Sequence, residues 1–244
     1  MKNDKTLILA IETSADICSA AISANGVTLD SETLTTPRSQ SAQLVPIIQK
    51  LLERNGLNTS DLAAVAVSSG PGSYTGLRVG VSTAKGICFG SKLPLIGVGT
   101  LELLAQHAIA AQKEEGLSPA DFIIPLIDAR RMEVYQALFD KDGEMIGEIS
   151  PMILDQTSYS DILGRGTVCF TGTGCDKFQK VCTSPQARFL QAQPNASAMS
   201  LPAWRKWLEG SFEDVAYMEP FYLKEFTIGI SKKKHLEKSV MPFF

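Results

Sequence analysis

The stretch FIIPLIDARRMEVYQALFDKDGE, residues 122–144, decides the fold because it repeats the pattern of an earlier stretch of the chain. An apolar strand ends in a carboxylate, a second strand follows, and Asp142-Gly143 turns the chain into a third. Residues 7–27, LILAIETSADICSAAISANGV, have the same order of strand, acid, strand and turn, here Asn25-Gly26. Asn-Gly and Asp-Gly are strong hairpin signals because these residues tolerate positive φ. An internal duplication of this kind predicts two related α/β lobes, with chance similarity of two hairpins as the alternative.

Helices and buried strands alternate after each copy. The first copy is followed by a helix over residues 39–55, a strand at 63–67, a glycine-rich loop and a helix that runs through Phe89. A strand at residues 94–98 and a helix from Thr100 complete the first half. After the second copy the pattern is less regular and predicts a strand at 167–172, helices at 175–181 and 198–209, and an extended segment at 219–226.

Composition excludes several classes of protein. The 244 residues contain 23 Lys+Arg and 26 Asp+Glu, so a formal net charge of −3 provides no overall positive field for nucleic acid. The five cysteines form no C-x-x-C pair, which favours reduced thiols. No apolar run approaches the roughly 18 residues of a membrane span, and we therefore expect a cytoplasmic protein that does not enter a membrane.

The loop SSGPGSYTGLR, residues 68–78, is the first candidate site, because glycines between a buried strand and a helix N-terminus let amide groups converge on an anion. It fails the Walker pattern, since Leu77-Arg78 follows Gly76, and it does not fit G-x-G-x-x-G. The alternative is that these glycines only allow the strand and helix to pack closely. The strand-end acids and the second glycine loop, TGTG, extend the candidate nucleotide or anion site, whose residues are Glu12, Gly70, Gly72, Ser73, Gly76, Asp128, Gly172 and Gly174.

Residues for independent catalysis are missing from the sequence pattern. No G-x-S-x-G motif surrounds Ser73, and the two histidines are His107, in an apolar helix, and His235, near the C-terminus. Isolated histidines and unclustered cysteines give no recognisable metal ligand set. We predict no catalytic residue and no metal site.

Four blocks in this order resemble the TsaB (YeaZ) family: LAIETSADICSAAI, SSGPGSYTGLRVGVSTAKGICFG, LPLIGVGTLELLA and IPLIDARRMEVYQALF. The combination of GPGSYTGLR, the glycine-spaced helix and DARRMEVY is specific, whereas each motif alone is weak. The blocks lie between Leu7 and Phe139. Beyond them the likeness is loose, at TGTG and at residues 219–224, where Lys224 replaces the arginine usual in the family.

The resemblance implies an α/β, actin-like (ASKHA, ribonuclease H-like) duplicated two-lobe fold. The lobes would comprise residues 1–105 and 106–226, followed by a tail of residues 227–244. It also implies a non-catalytic role in forming threonylcarbamoyladenosine at position 37 of tRNAs that read ANN codons. The transfer itself would belong to a TsaD-type paralogue that binds metal through histidines and forms a heterodimer with this chain.

The resemblance further implies a TsaE-type ATPase that joins the pair and a tRNA reached indirectly, through the complex. We expect no cofactor of the chain's own, with ATP or ADP near the partner interface, and a homodimer when the partner is absent. The alternatives are a kinase-like nucleotide-binding enzyme, a peptidase acting on the partner, and a plain RNA-binding module.

In the family the pairing surface is built from first-lobe helices, although the sequence does not say which residues face outward. Gln40 stands where some members carry a histidine. The implied interface residues are Gln40, Leu44, Ile47, Ile48, Leu51, Tyr74, Arg78, Val79, Thr83 and Gly86.

Overall fold

A computed structural model describes residues 5–36 and 40–223, except for the side chain of Gln40. Predictions made for that side chain, for Lys224 and for the tail of residues 227–244 fall outside the described part.

The first sheet combines a three-stranded antiparallel meander with two parallel strands. Its order is β3-β2-β1-β4-β5, in which β1 pairs antiparallel with β2 and parallel with β4. The Asn25-Gly26 turn joins β2 to β3 as predicted, with positive φ at both residues. The strands are β1 (Leu7–Glu12), β2 (Cys18–Ala24), β3 (Val27–Leu34), β4 (Ala64–Gly70) and β5 (Leu95–Gly99).

The second sheet repeats this arrangement and confirms the predicted duplicated two-lobe α/β fold. Its order is β11-β10-β6-β7-β9, with antiparallel strands on one side of β6 and parallel strands on the other. The strands are β6 (Phe122–Asp128), β7 (Glu133–Gln136), β8 (Phe139–Asp140), β9 (Ser150–Ile153), β10 (Val168–Thr171) and β11 (Ala187–Leu190). The predicted second strand is divided into β7 and β8, the third is shortened to β9, and β11 was not predicted.

Helices cover both faces of the first sheet. The helices are α1 (Gln40–Arg54), α2 (Tyr74–Ser91), α3 (Thr100–Glu114), α4 (Ser160–Leu163), α5 (Cys175–Gln179) and α6 (Ser200–Glu209). α1 and α2 pack on the face of β1 that carries Leu9 and Ile11. α3 and α6 pack on the opposite face, which carries Ile8 and Ala10. α3 also contributes Leu104 and its neighbours to the core of the second lobe, so this helix joins the two cores.

The chain returns to the first lobe after the second sheet. Glu213 N donates to Leu95 O at 2.8 Å, and Phe221 N donates to Ser69 O at 2.7 Å. The predicted second lobe, residues 106–226, therefore includes a segment that packs on the first sheet. Within the described ranges, no helix has both the length and the apolar character needed to cross a lipid bilayer.

Candidate functional site

A cleft of about 820 Å³ lies between the lobes, at the ends of β1 and β6. Three of the eight predicted nucleotide-site residues line it, namely Gly72, Ser73 and Asp128. The other lining residues used below are Ser14, Asp16, Arg130, Tyr135, Thr173, Phe221 and Tyr222. The two strand-end acids of the predicted site do not both line this cleft, because Asp128 reaches it and Glu12 does not.

Glu12 ends β1 and is completely buried. The amide of Ser14 donates to one carboxyl oxygen, and Oε2 has no hydrogen-bond partner within the described part of the chain. Burial raises the pKa of Glu12 to about 7, which outweighs the lowering by the Ser14 hydrogen bond. Glu12 is thus a structural acid that keeps its proton well above the usual range.

Asp128 occupies the equivalent place at the end of β6 but has a different environment. Its Oδ1 accepts from Arg130 N at 2.6 Å, the same i to i+2 contact that joins Glu12 to Ser14. Its side chain is 43% exposed, and the ammonium of Lys177 lies 2.7 Å away. The second lobe therefore presents an ion pair where the first lobe hides a carboxyl group.

The first glycine loop packs against the turn that follows Glu12. A Cβ atom at Gly72 would lie 2.4 Å from Ser14 O, and one at Gly76 would lie 2.0 Å from Thr13 O. Ser73 N donates to Ser14 O at 2.7 Å, and Ser73 Oγ accepts from Gly76 N at 3.3 Å, which caps α2. These contacts support the packing alternative for Gly72 and Gly76.

The remaining glycines also meet backbone at close range. Gly70 has a φ of 110°, and a Cβ there would lie 2.6 Å from Phe221 O. Gly172 has a φ of 98°, and a Cβ there would lie 2.6 Å from Leu126 O. Gly174 N donates to Leu126 O at 2.8 Å. All three glycines thus let one segment of backbone approach another.

The polar side chains of the cleft include several hydroxyls, Asp16, Asp128, Arg130 and Gln193. The Thr173 hydroxyl accepts from Asp128 N at 3.0 Å and lines the cleft between Gly172 and Gly174, a role that the TGTG pattern did not assign to it. His107 lies on α3 away from the lining, and burial lowers its pKa. Within residues 5–36 and 40–223 no group of three or more His, Cys, Asp or Glu side chains is placed to hold a metal ion.

The predicted interface on α1 is wrong for four side chains, which are at most 4% exposed. They are Leu44, Ile47, Ile48 and Leu51. Their helical spacing forms the apolar stripe with which α1 packs on its own sheet, so these side chains cannot touch a partner. The outward face of α1 instead carries Val45, which is 58% exposed.

The predicted interface residues of α2 differ in their surroundings. Arg78 is exposed and stacks over the Tyr74 ring at 4.1 Å, and Gly86 is exposed with no atom near its missing Cβ. Val79 and Thr83 are half-buried, and Val79 packs against the core of the first lobe.

Phe89 was missed by the prediction and is 84% exposed on α2. It follows Ser82 and Gly86 at the i, i+4, i+7 spacing of one helix face, and both of these residues are exposed. The inward face carries Val81, Cys88 and other buried residues. The helical spacing of these residues therefore predicts that Phe89 lies on the outward face.

Comparisons with known proteins show which family this chain resembles. The family model described as TsaD, tRNA N6-adenosine threonylcarbamoyltransferase, matches residues 34–211. The tRNA threonylcarbamoyladenosine biosynthesis protein TsaB of Escherichia coli (strain K12) is 31% identical over 224 residues, which cover 89% of this chain and 94% of that protein. The protein of the same description from Haemophilus influenzae is 30% identical over 226 residues, covering 89% and 93%.

A solved structure supports the fold. The crystal structure of an uncharacterized protein with similarity to peptidase YEAZ, from Pseudomonas aeruginosa, superposes with a TM-score of 0.77. It is 28% identical, and the match covers 90% of this chain and all of that chain.

Proposed function

The chain belongs to the TsaB (YeaZ) family of tRNA threonylcarbamoyladenosine biosynthesis, and from this premise we propose that it is a non-catalytic partner of a TsaD-type transferase. In this role the two chains form a heterodimer, which a TsaE-type ATPase joins. The product is threonylcarbamoyladenosine at position 37 of tRNAs that read ANN codons, and the tRNA is reached through the complex.

The environment of Glu12 carries the proposal. Catalysis of phosphoryl or acyl transfer needs charged groups and donors that face the reacting atoms. Here the first-lobe acid is completely buried and does not line the cleft. In the glycine loop beside it, the space at the Cβ positions of Gly72 and Gly76 is filled by the backbone of Ser14 and Thr13. A duplicated fold in which the first-lobe acid is buried in this way suits a supporting subunit.

We assign partner binding to the outward face of α2, defined by Ser82, Gly86 and Phe89. Phe89 is 84% exposed, so nearly its whole ring is available to a partner. Gly86 beside it leaves space in which another helix could approach closely. Large aromatic anchors of this kind dominate the binding energy of protein interfaces.

Calorimetric titration of the chain with a TsaD-type transferase tests this role. We expect binding in micromolar samples, and we expect Phe89→Ala to weaken it by roughly tenfold or more because it removes the anchor. Ile153→Ala is the matched control, since Ile153 is 73% exposed on β9 of the other lobe. Absence of binding by the unaltered chain would contradict the proposal.

A kinase-like enzyme or a peptidase remains the second candidate, and the cleft of about 820 Å³ is the observation that favours it. Under our proposal any ATP or ADP sits near the partner interface and the chain holds no cofactor of its own. Glu12→Gln should then leave tRNA modification by the assembled complex unchanged. ATP turnover or peptide cleavage by the isolated chain at ordinary enzymatic rates would support the enzyme instead.

A further inference from the structure

The turn between β6 and β7 carries two arginines in a backbone conformation that arginine rarely adopts. Arg130 has a φ of 74° and Arg131 a φ of 49°. The β2–β3 hairpin has its pair of positive φ values at Asn25 and Gly26, the residue types for which this geometry costs least. Arginine at such positions costs stability relative to asparagine or glycine.

Both arginine side chains are exposed. Neither guanidinium forms a hydrogen bond, an ion pair or a ring contact with another residue of the described ranges. Arg54, by contrast, is held by Asp30 and by Glu32, each at 2.8 Å. The Arg130–Arg131 turn therefore presents two exposed guanidinium groups.

Asp128, which precedes the turn, forms its ion pair with another residue. Asp128 is paired with Lys177 at 2.7 Å, so the ion pair is locally neutral. Asp16 belongs to the opposite wall of the cleft, and Tyr135 and Thr173 line the cleft together with Arg130. This wall thus combines the Arg130 guanidinium with a hydroxyl group and an aromatic ring.

Guanidinium groups bind phosphate oxygens in a bidentate manner, and an aromatic ring can stack on an unpaired base. Arg130 lines the cleft, whereas Arg131 lies outside the lining. Two cations divided in this way suit a strand that passes over the mouth of the cleft better than a small ligand held within it. We propose that the Arg130–Arg131 turn contacts backbone phosphates of the tRNA, an inference that rests on the proposed function.

The double variant Arg130→Asn/Arg131→Gly tests this assignment, because it installs the residues that the turn geometry favours and removes both charges. Binding of tRNA by the complex with a TsaD-type transferase is measured across a range of salt concentrations. We expect weaker binding at low salt and a slope of log K against log salt that is smaller by roughly 1.5, for two lost phosphate contacts. The melting temperature of the variant should rise, which excludes misfolding as the cause.

The control is Lys92→Gln/Lys113→Gln, which removes the same charge from exposed positions outside the cleft lining. An unchanged slope in an Arg130→Asn/Arg131→Gly complex that assembles normally would overturn the inference. Weaker binding of free ATP with an unchanged tRNA slope would also overturn it. If the unaltered chain fails to pair, the proposed function falls, and the same difference in slope is then sought with the chain alone at low salt.

Discussion

Glu12 and Asp128 show how equivalent residues acquire different properties within one fold. Both end the central strand of their sheet and accept from the amide two residues further on. Their equivalent positions in the two repeats were predictable from the sequence. Their burial was not predictable, because it depends on how closely α2 approaches the backbone of Thr13 and Ser14.

The raised pKa of Glu12 predicts how stability depends on pH. The carboxyl of the unfolded chain releases its proton near the ordinary value of 4.5, whereas the buried group keeps it to about 7. The folded chain therefore binds more protons between these values, and the free energy of unfolding falls as pH rises from about 4.5 to 7. The loss can reach about 3 kcal/mol and is complete above pH 7.

Glu12→Gln removes this titration and should flatten that part of the stability profile. Urea unfolding of both proteins at a series of pH values between about 4 and 8 measures the difference. If the free energy of unfolding changes equally with pH in the variant and the unaltered chain, Glu12 titrates normally.

At the scale of elements, the sequence predicted most strands and helices of the first lobe. Hydrophobic periodicity and the Asn25-Gly26 turn identify them, because one face of each element must be buried. β9 and β11 were harder, since each has only four residues. β9 alternates between half-buried and exposed side chains and β11 is half-buried throughout, so neither has a fully buried face. The outward face of α1 was misjudged because a single apolar stripe serves equally well for a core and for an interface.

The glycines of α2 give a prediction with opposite signs along one helix. Gly86→Ala should raise the free energy of unfolding by about 0.5–1 kcal/mol, because nothing lies within 4 Å of its Cβ position and alanine favours the helix. Gly76→Ala should lower it by about 1–3 kcal/mol, because the new Cβ would lie 2.0 Å from Thr13 O. Denaturant melts of the two variants provide the comparison.

If α2 pairs with a helix of the partner, Gly86→Ala should also weaken heterodimer formation while it stabilises the free chain. Calorimetry on the same protein samples measures this effect. Unaltered affinity would remove Gly86 from the interface.

At the scale of the whole molecule, the two lobes share α3 and the returning C-terminal segment. α6 supplies Ala203 to the core that covers Ile8 and Ala10. Lys85 Nζ of α2 donates to Ala216 O at 3.0 Å and Met218 O at 3.1 Å. The strand order of the two sheets follows the duplicated sequence. The packing of residues 196–223 on the first lobe was not predictable, because this segment carries no motif that indicates which element it contacts.

A fragment that ends at residue 117 should therefore fail to fold as a stable lobe. It keeps β1–β5 and α1–α3 but exposes the apolar face that α6 and residues 196–199 cover in the whole chain. Far-ultraviolet circular dichroism and gel filtration measure the outcome. A monomeric fragment with cooperative melting would show that the first lobe is independent of the return.

The exposed face of α2 has a consequence for the amount of protein in a cell. On the proposed pairing, the Phe89 ring stays hydrated and the space beside Gly86 stays unfilled until the partner covers both residues. An unpaired subunit would thus populate its unfolded state more often and would be degraded sooner than a paired one. Its abundance should track that of its partner, so that surplus copies are removed without a dedicated regulator.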